Sequence, residues 1–196
     1  MQQARARAFR SRAAFKLEQL DKKERLLRPG MTLIDLGAAP GSWSQYAATR
    51  VGSNGRVIAL DRLEFPPIDD VTSLIGDFLD SHTVSRLKEI LGQNPADLVI
   101  SDMAPNLTGV KSIDQSAMGE LVIEAARFAR QHLGARGAFV AKFFEGSEAK
   151  TVKDEVASLF RTIRIRKPDA SRSESAEVYL VARDVVLRSE EHTSEL

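Results

Sequence analysis

The stretch Met31-Thr-Leu-Ile-Asp35-Leu-Gly-Ala-Ala-Pro-Gly-Ser-Trp43 constrains the fold more than any other part of the chain. Its first half is a short apolar run, the pattern of a strand buried on both faces. In its second half, Gly37 and Gly41 bracket a turn of the kind that lets a backbone approach a ligand with no Cβ in the way. A second apolar run, Val57-Ile-Ala-Leu-Asp61, ends in a carboxylate. That spacing, about 20 residues after the glycine turn, is the one at which doubly wound sheets place an acid for ribose hydroxyls. An ordinary strand-to-helix turn carries similar glycines, so the loop by itself leaves both readings open.

Strand and helix patterns alternate along the rest of the chain. Phe9, Ala13, Leu17, Leu20 and Leu27 recur near helical spacing and predict a basic amphipathic helix over about residues 8–27, ending before Pro29-Gly30. Strands are expected over 31–36, up to Asp61, near 73–76, over 96–102 and over 138–144. The helices between them carry Tyr46, Ala47 and Val51, stopped by Gly52, then Leu87, Ile90 and Leu91. The stripe Met118, Leu121, Val122, Ala125, Phe128 and Ala129 predicts the strongest helix, closed by Gly134, and Val152, Val156, Leu159 and Phe160 predict one more. Two last strands, near 161–166 and 176–183, follow each other without a helix and so form an antiparallel pair. This pattern is an α/β fold: a mostly parallel seven-stranded sheet with one antiparallel strand and helices on both faces.

With 196 residues, 43% of them hydrophobic, the chain suffices for one packed domain, expected over 1–187. Arg188-Ser-Glu-Glu-His-Thr-Ser-Glu-Leu196 has neither periodicity nor an apolar face and reads as a non-native or disordered tail. Cysteine is absent, and His82, His132 and His192 lack ligand spacing, so no metal is expected. No apolar run has the ~20 residues of a membrane helix and there is no signal-peptide core, which predicts a cytoplasmic protein without membrane contact. Residues 1–17 contain arginines and no acid, a composition shared with mitochondrial transit peptides, although the same residues also fit a functional motif. The lack of a spare apolar stripe points to a monomer.

The net charge of +1 conceals two basic segments. Between Ala4 and Arg28 nine basic side chains face three acidic ones, and between Arg161 and Arg172 five face one. Such clusters on a near-neutral chain suit a polyanion, although charge runs are also common on solvated helix faces.

In sheets of this kind ligands bind at the carboxyl ends of the parallel strands. Gly37, Asp61, Asp102 and Lys142 fall at or beside those ends, and Glu177 falls at the start of the antiparallel strand, which reaches the same edge. Lys142 sits among Phe139, Phe143 and Phe144. A buried ammonium without a partner costs ~3–5 kcal/mol, so Lys142 needs a carboxylate or a catalytic task, unless it snorkels to solvent. Asp102 could cap a helix, but Met103-Ala-Pro-Asn106 reads as a rigid loop.

Six segments then add a resemblance. Arg10-Ser-Arg-Ala-Ala-Phe-Lys-Leu17, Asp35-Leu-Gly-Ala-Ala-Pro-Gly-Ser-Trp-Ser-Gln-Tyr46, Gly76-Asp-Phe78, Ser101-Asp-Met-Ala-Pro-Asn106, Lys142-Phe-Phe-Glu-Gly146, and Arg166-Lys-Pro-Asp-Ala-Ser-Arg172 followed by Glu177-Val-Tyr179, resemble in order the FtsJ-type ribose 2′-O-methyltransferases. The resemblance implies the Rossmann-like methyltransferase fold and S-adenosylmethionine as cofactor. It implies a Lys-Asp-Lys-Glu tetrad at Lys16, Asp102, Lys142 and Glu177, with Asp102 also beside the cofactor. Asp61 would then bind the ribose hydroxyls and Asp77 the adenine, while Gly37, Pro40, Gly41 and Trp43 would shape the pocket. The implied substrate is a uridine of 23S ribosomal RNA in the large ribosomal subunit, with Arg10, Arg12, Arg166, Lys167 and Arg172 as RNA contacts. The sequence departs from the family pattern in opening only a short way upstream of Lys16 and in having Ser42 where a second glycine is common.

Lys142 is the expected general base, and because a lysine amine ordinarily titrates near ~10.4 it must shed its own proton first. Two other classes remain. A nicotinamide dehydrogenase shares the sheet and the acid, but Pro40 stands where a phosphate would want a backbone N–H. A non-catalytic RNA-binding module would use the basic clusters alone. Methyltransferases of transfer RNA and of the messenger cap carry the same tetrad, so another RNA also fits.

Overall fold

The computed structural model describes residues 9–187. Residues 1–8, where the predicted basic helix was to begin, and the anticipated tail 188–196 lie outside the described residues. The chain runs through α1 (Ala13–Glu24), β1 (Thr32–Leu36), α2 (Ser42–Val51), β2 (Arg56–Asp61), β3 (Val71–Ile75), α3 (Ser81–Leu91), β4 (Ala96–Ser101), α4 (Lys111–His132), β5 (Leu133–Phe144), α5 (Ala149–Leu159), β6 (Phe160–Arg166) and β7 (Glu177–Val185). The seven strands lie in the order β3-β2-β1-β4-β5-β7-β6. β7 is antiparallel to both of its neighbours, and the pairings from β3 across to β5 are parallel. The chain thus leaps past one position to lay down β6 at the edge, then returns to fill the gap with β7.

The buried runs predicted for the central strands explain the two-sided packing. Leu33, Val57, Leu98, Ile100 and Val140 meet α1 and α2 through Leu17, Leu20, Trp43 and Tyr46 on one face. Ile34, Ile58, Val99 and Phe139 meet α3, α4 and α5 through Leu87, Val122, Phe128 and Val156 on the other. Strand order reverses between β1 and β4, so their carboxyl ends, Gly37 and Asp102, diverge and leave a crevice. No helix among the described residues is long and apolar enough to cross a membrane.

Four boundaries differ from the sequence expectation. The basic helix begins at Ala13 rather than near residue 8, because the Arg10 N–H is drawn to Gln45 Oε1 at 2.8 Å and its side chain to the carbonyls of Pro40, Pro66 and Pro67, which leaves residues 9–12 outside the helix. The basic helix ends at Glu24 rather than near Leu27, because Arg25 takes a left-handed φ of 53° and its N–H closes on Asp21 O. The Leu27 N–H turns back to the Asp21 carboxylate at 2.8 Å, which replaces the bonds a longer helix would make. Gly134 does not close α4: the helix stops at His132, and Leu133 is already extended, opposite Ala96. β5 consequently begins at Leu133 instead of near Ala138, with a register shift against Ala96 and Leu98 that periodicity alone does not reveal.

Candidate active site

A cavity of about 830 Å³ opens where the crevice lies, lined by Gly37 and Ala39 after β1, Asp61 at the end of β2, Gly76 and Asp77 after β3, and the segment from Asp102 to Asn106 after β4. Gly37 has φ 69°, and a Cβ there would lie 2.2 Å from Met103 Cγ, so both conformation and space exclude a side chain. The Asp61 carboxylate accepts the Ala39 N–H through Oδ2 and the Leu63 N–H through Oδ1, each at 2.9 Å. Each oxygen keeps a further lone pair for a hydroxyl donor. Asp77 accepts the Leu79 N–H at 2.9 Å and lies 3.7 Å from Arg62 Nη1. Two carboxylates around a space with no Cβ at its turn fit an adenosine-bearing ligand.

Pro40, Gly41 and Trp43 do not line this cavity. Gly41 is constrained from another side, since a Cβ there would lie 2.4 Å from Ile68 Cδ1. The Pro40 carbonyl accepts a hydrogen bond from Arg10 Nη1. Trp43 is buried, donates its indole N–H to Ala13 O at 2.8 Å and packs its ring 5.7 Å from that of Tyr179. It therefore bolts the first turn of α1, one turn before Lys16, onto α2 and the sheet.

The side chains of Lys16, Asp102, Lys142 and Glu177 converge beside the cavity, which Asp102 also lines. Lys16 comes from α1, Asp102 follows β4, Lys142 lies on β5 and Glu177 opens β7. Lys16 Nζ donates to Glu177 Oε1 at 2.6 Å. Lys142 Nζ donates to the Asp102 backbone carbonyl at 3.0 Å and stands 3.6 Å from Asp102 Oδ1. Between these pairs is Tyr179, which faces Lys142 across the β5–β7 ladder. Its hydroxyl donates to Asp102 Oδ1 at 2.7 Å and lies 3.3 Å from Glu177 Oε1. Ser171 Oγ also donates to Glu177 Oε1, at 3.3 Å.

Burial pushes the Asp102 carboxyl above its ordinary range, against the pull of Lys142, the Tyr179 hydroxyl and Lys16. Burial pushes Glu177 the same way, but the Lys16 hydrogen bond and charge, with Lys142 and Ser171, hold it below the ordinary value. The two carboxylates thus differ: Glu177 is secured as an anion, whereas Asp102 is easier to protonate. Burial beside both carboxylates keeps Tyr179 a phenol. In the sequence Tyr179 stands within the motif Glu177-Val-Tyr179, with no role of its own apparent there. The available signal was the i, i+2 spacing of Glu177 and Tyr179, which puts both on one face of a strand.

The candidate RNA contacts divide by what already holds them. Arg10 donates to three carbonyls, those of Pro40, Pro66 and Pro67, and braces the loops instead of facing solvent unpaired. Arg166 is paired with the buried Glu24 carboxylate. Lys167 donates to Ser173 O and Ser175 O, shaping its own loop. Arg12 and Arg172 are exposed. Among the described residues, no group of three or more His, Cys, Asp or Glu side chains is arranged to hold a metal ion.

This geometry coincides with a family match over nearly the whole described chain: the FtsJ-like methyltransferase model fits residues 9–185. The chain belongs to the FtsJ-like methyltransferase family. The methyltransferase is 46% identical over 183 residues to the ribosomal RNA large subunit methyltransferase E of Dechloromonas aromatica, spanning 93% of this chain and 89% of that protein. The protein of the same name from Xanthomonas campestris pv. campestris is also 46% identical over 183 residues, with 93% and 87% covered. A solved ribosomal RNA methyltransferase of Plasmodium falciparum superposes with a TM-score of 0.83 at 29% identity, over 92% of this chain and 100% of that one. Aeropyrum pernix fibrillarin, solved with natively bound S-adenosyl-L-methionine, shares the fold at a TM-score of 0.57 and 16% identity, over 88% and 74% of the two chains.

Proposed function

We propose that this methyltransferase transfers a methyl group from S-adenosylmethionine to the 2′-oxygen of a uridine in 23S ribosomal RNA, within the large ribosomal subunit. The observation that carries the reading is that Asp102 belongs at once to the nucleoside-sized cavity and to the cluster of Lys16, Lys142 and Glu177. A cofactor's reactive end and an RNA ribose placed there would meet over one carboxylate. The names of the bacterial relatives support ribosomal RNA of the large subunit as the substrate.

S-adenosylmethionine supplies a methyl carbon already activated by its sulfonium. In this reading Asp61 and Asp77 hold the ribose and adenine through the lone pairs left on their carboxylates, and Gly37 leaves the room. Lys142 in its amine form accepts the 2′-hydroxyl proton at Nζ, while Lys16 and Glu177 orient the ribose. Orientation contributes the larger share, ~7–11 kcal/mol, against ~10²–10⁴-fold for a general base.

The test is transfer of a tritiated methyl group to large ribosomal subunits that lack their own 2′-O-methylation, followed by mapping of the modified position. Lys142→Ala should abolish transfer with cofactor affinity nearly intact, and Asp61→Ala should do the converse. A rate flat from about pH 6 to about pH 10 would remove Lys142 as the base. Methylation of transfer RNA or a cap in preference to large subunits would replace the substrate, and RNA binding with no transfer would leave only a binding module. Equilibrium binding of NAD instead of S-adenosylmethionine would replace the cofactor.

A further inference from the structure

Helix α1 has two unlike faces. Ala14, Leu17 and Leu20 are buried against the sheet and α2. Arg12, Phe15, Lys16, Gln19 and Lys23 recur at i, i+3, i+4, i+7 and i+11 and so share the opposite face. A phenylalanine on that face is out of place by packing logic, because the core-facing positions of the helix are already filled. Phe15 is 44% exposed, and its only aromatic neighbour among the described residues is Phe9, edge-on at 6.0 Å.

Phe15 also forms part of a cavity of about 440 Å³, with Arg12, Ala13, Lys16, Gln19 and Ala170. Gln19 Oε1 accepts the Ala170 N–H at 2.9 Å, which fixes the loop after β6 as the opposite wall. Lys16 connects this cavity to the tetrad, since its Nζ reaches Glu177 Oε1. Whatever lies in the cavity is therefore next to the place assigned to the reacting ribose.

We propose that this cavity is a nucleobase subsite, in which the Phe15 ring stacks on the base of a nucleotide flanking the methylated ribose. The inference rests on the RNA methylation proposed above. Aromatic rings offer bases a sequence-tolerant platform, and cations around the ring meet the phosphates that come with the base. Arg12 supplies such a cation from the wall of the cavity, and Lys23 continues the positive charge further along the same helix face. An apolar protein surface laid over Phe15 would instead desolvate these charges without repaying them, which favours RNA as the occupant.

The test separates stacking from simple apolar contact by substitution at one position. With undermethylated large subunits as substrate, Phe15→Ala should raise KM for RNA about tenfold, the lower part of the ~1–3 kcal/mol found for base–aromatic stacking, with kcat changed far less. S-adenosylmethionine affinity should stay at its wild-type value. Phe15→Tyr and Phe15→Trp should restore KM, and Phe15→Leu should not. In Phe15→Trp, an oligouridylate probe should quench fluorescence beyond the quenching seen in the wild type, which retains Trp43; this readout requires no turnover. Unchanged KM in Phe15→Ala, or full rescue by Phe15→Leu as an apolar protein contact would give, overturns the subsite. Absence of methyl transfer by the wild-type protein would instead strike the proposed function, and the quenching measurement would still decide the stack.

Discussion

Tyr179 is the residue through which the two halves of the tetrad touch. One hydroxyl hydrogen sits between Asp102 Oδ1 at 2.7 Å and Glu177 Oε1 at 3.3 Å, so its position biases which carboxylate is the better anion. Tyr179→Phe removes a hydrogen bond to a charged group, an interaction worth ~1.5–3 kcal/mol. Single-turnover transfer should slow about tenfold or more, S-adenosylmethionine affinity should persist, and the acid limb of the rate profile should move to higher pH as Asp102 loses a donor. The arginines give a second contrast. Arg10→Ala removes donors from Pro40, Pro66 and Pro67 and should lower Tm by several degrees. Arg12→Ala should leave Tm unchanged and flatten the salt dependence of RNA binding by ~0.7–0.9 in slope. Calorimetry and filter binding at several salt concentrations measure the two effects, and equal behaviour of the two variants would refute the distinction.

At the scale of elements, α1 is held by two anchors, and the position of Lys16 in the cluster depends on both. Trp43 grips its first turn through Ala13 O, and Asp21 grips its last. The Asp21 carboxylate is buried and accepts from Leu27 N–H at 2.8 Å, Tyr46 Oη at 2.8 Å and Arg50 Nε at 2.9 Å. All three partners are donors, so Asp21→Asn must turn an amide NH₂ toward at least one of them. Leaving a buried donor unsatisfied costs ~1–3 kcal/mol, which in a chain of this size lowers Tm by about 2–4 °C per kcal/mol. A melting curve unchanged by this substitution would show that α1 is held elsewhere. Because Lys16 lies between the anchors, turnover should fall further than the loss of folded protein accounts for.

For the whole molecule, two buried titrating groups pull stability in opposite directions with pH. Asp35 lies beneath the glycine turn with Ser44 as its hydrogen-bond partner, and burial pushes it from 3.8 up to about 7. The folded state therefore binds the proton more tightly than the unfolded one, and this contribution to stability is lost as pH rises from about 4 through about 7. His132 behaves oppositely. Burial lowers its pKa from 6.5, against the bond from Nδ1–H to Phe128 O, and its Nε2 is buried with no hydrogen-bond partner among the described residues. Its contribution is present above about 6.5 and lost as pH falls through the depressed value. Asp35→Asn should raise Tm at pH 8 relative to pH 5 compared with wild type, whereas His132→Phe should lessen the loss of Tm below about pH 6.5. Thermal melts across this range check both signs.

The alternation of apolar runs with Gly37, Asp61 and Asp102 at their ends was legible in the sequence because strand termini are local features: each is written in five or six adjacent residues. So was the need of Lys142 for a partner, since a cation amid phenylalanines announces its own cost. The roles of Trp43, Arg166 and Tyr179 were not legible. Arg166 meets its carboxylate at Glu24, Trp43 its acceptor at Ala13, and Tyr179 its acceptor at Asp102, separations of 142, 30 and 77 residues. Periodicity tells which face of an element is apolar, but a hydrogen bond needs a donor and an acceptor within about 3 Å, and that proximity is set only when strands and helices settle into one packing. The chain by itself thus determined the sheet, the glycine turn and the chemistry available, and the tertiary packing decided which cations are engaged and how Lys16, Asp102, Lys142 and Glu177 meet.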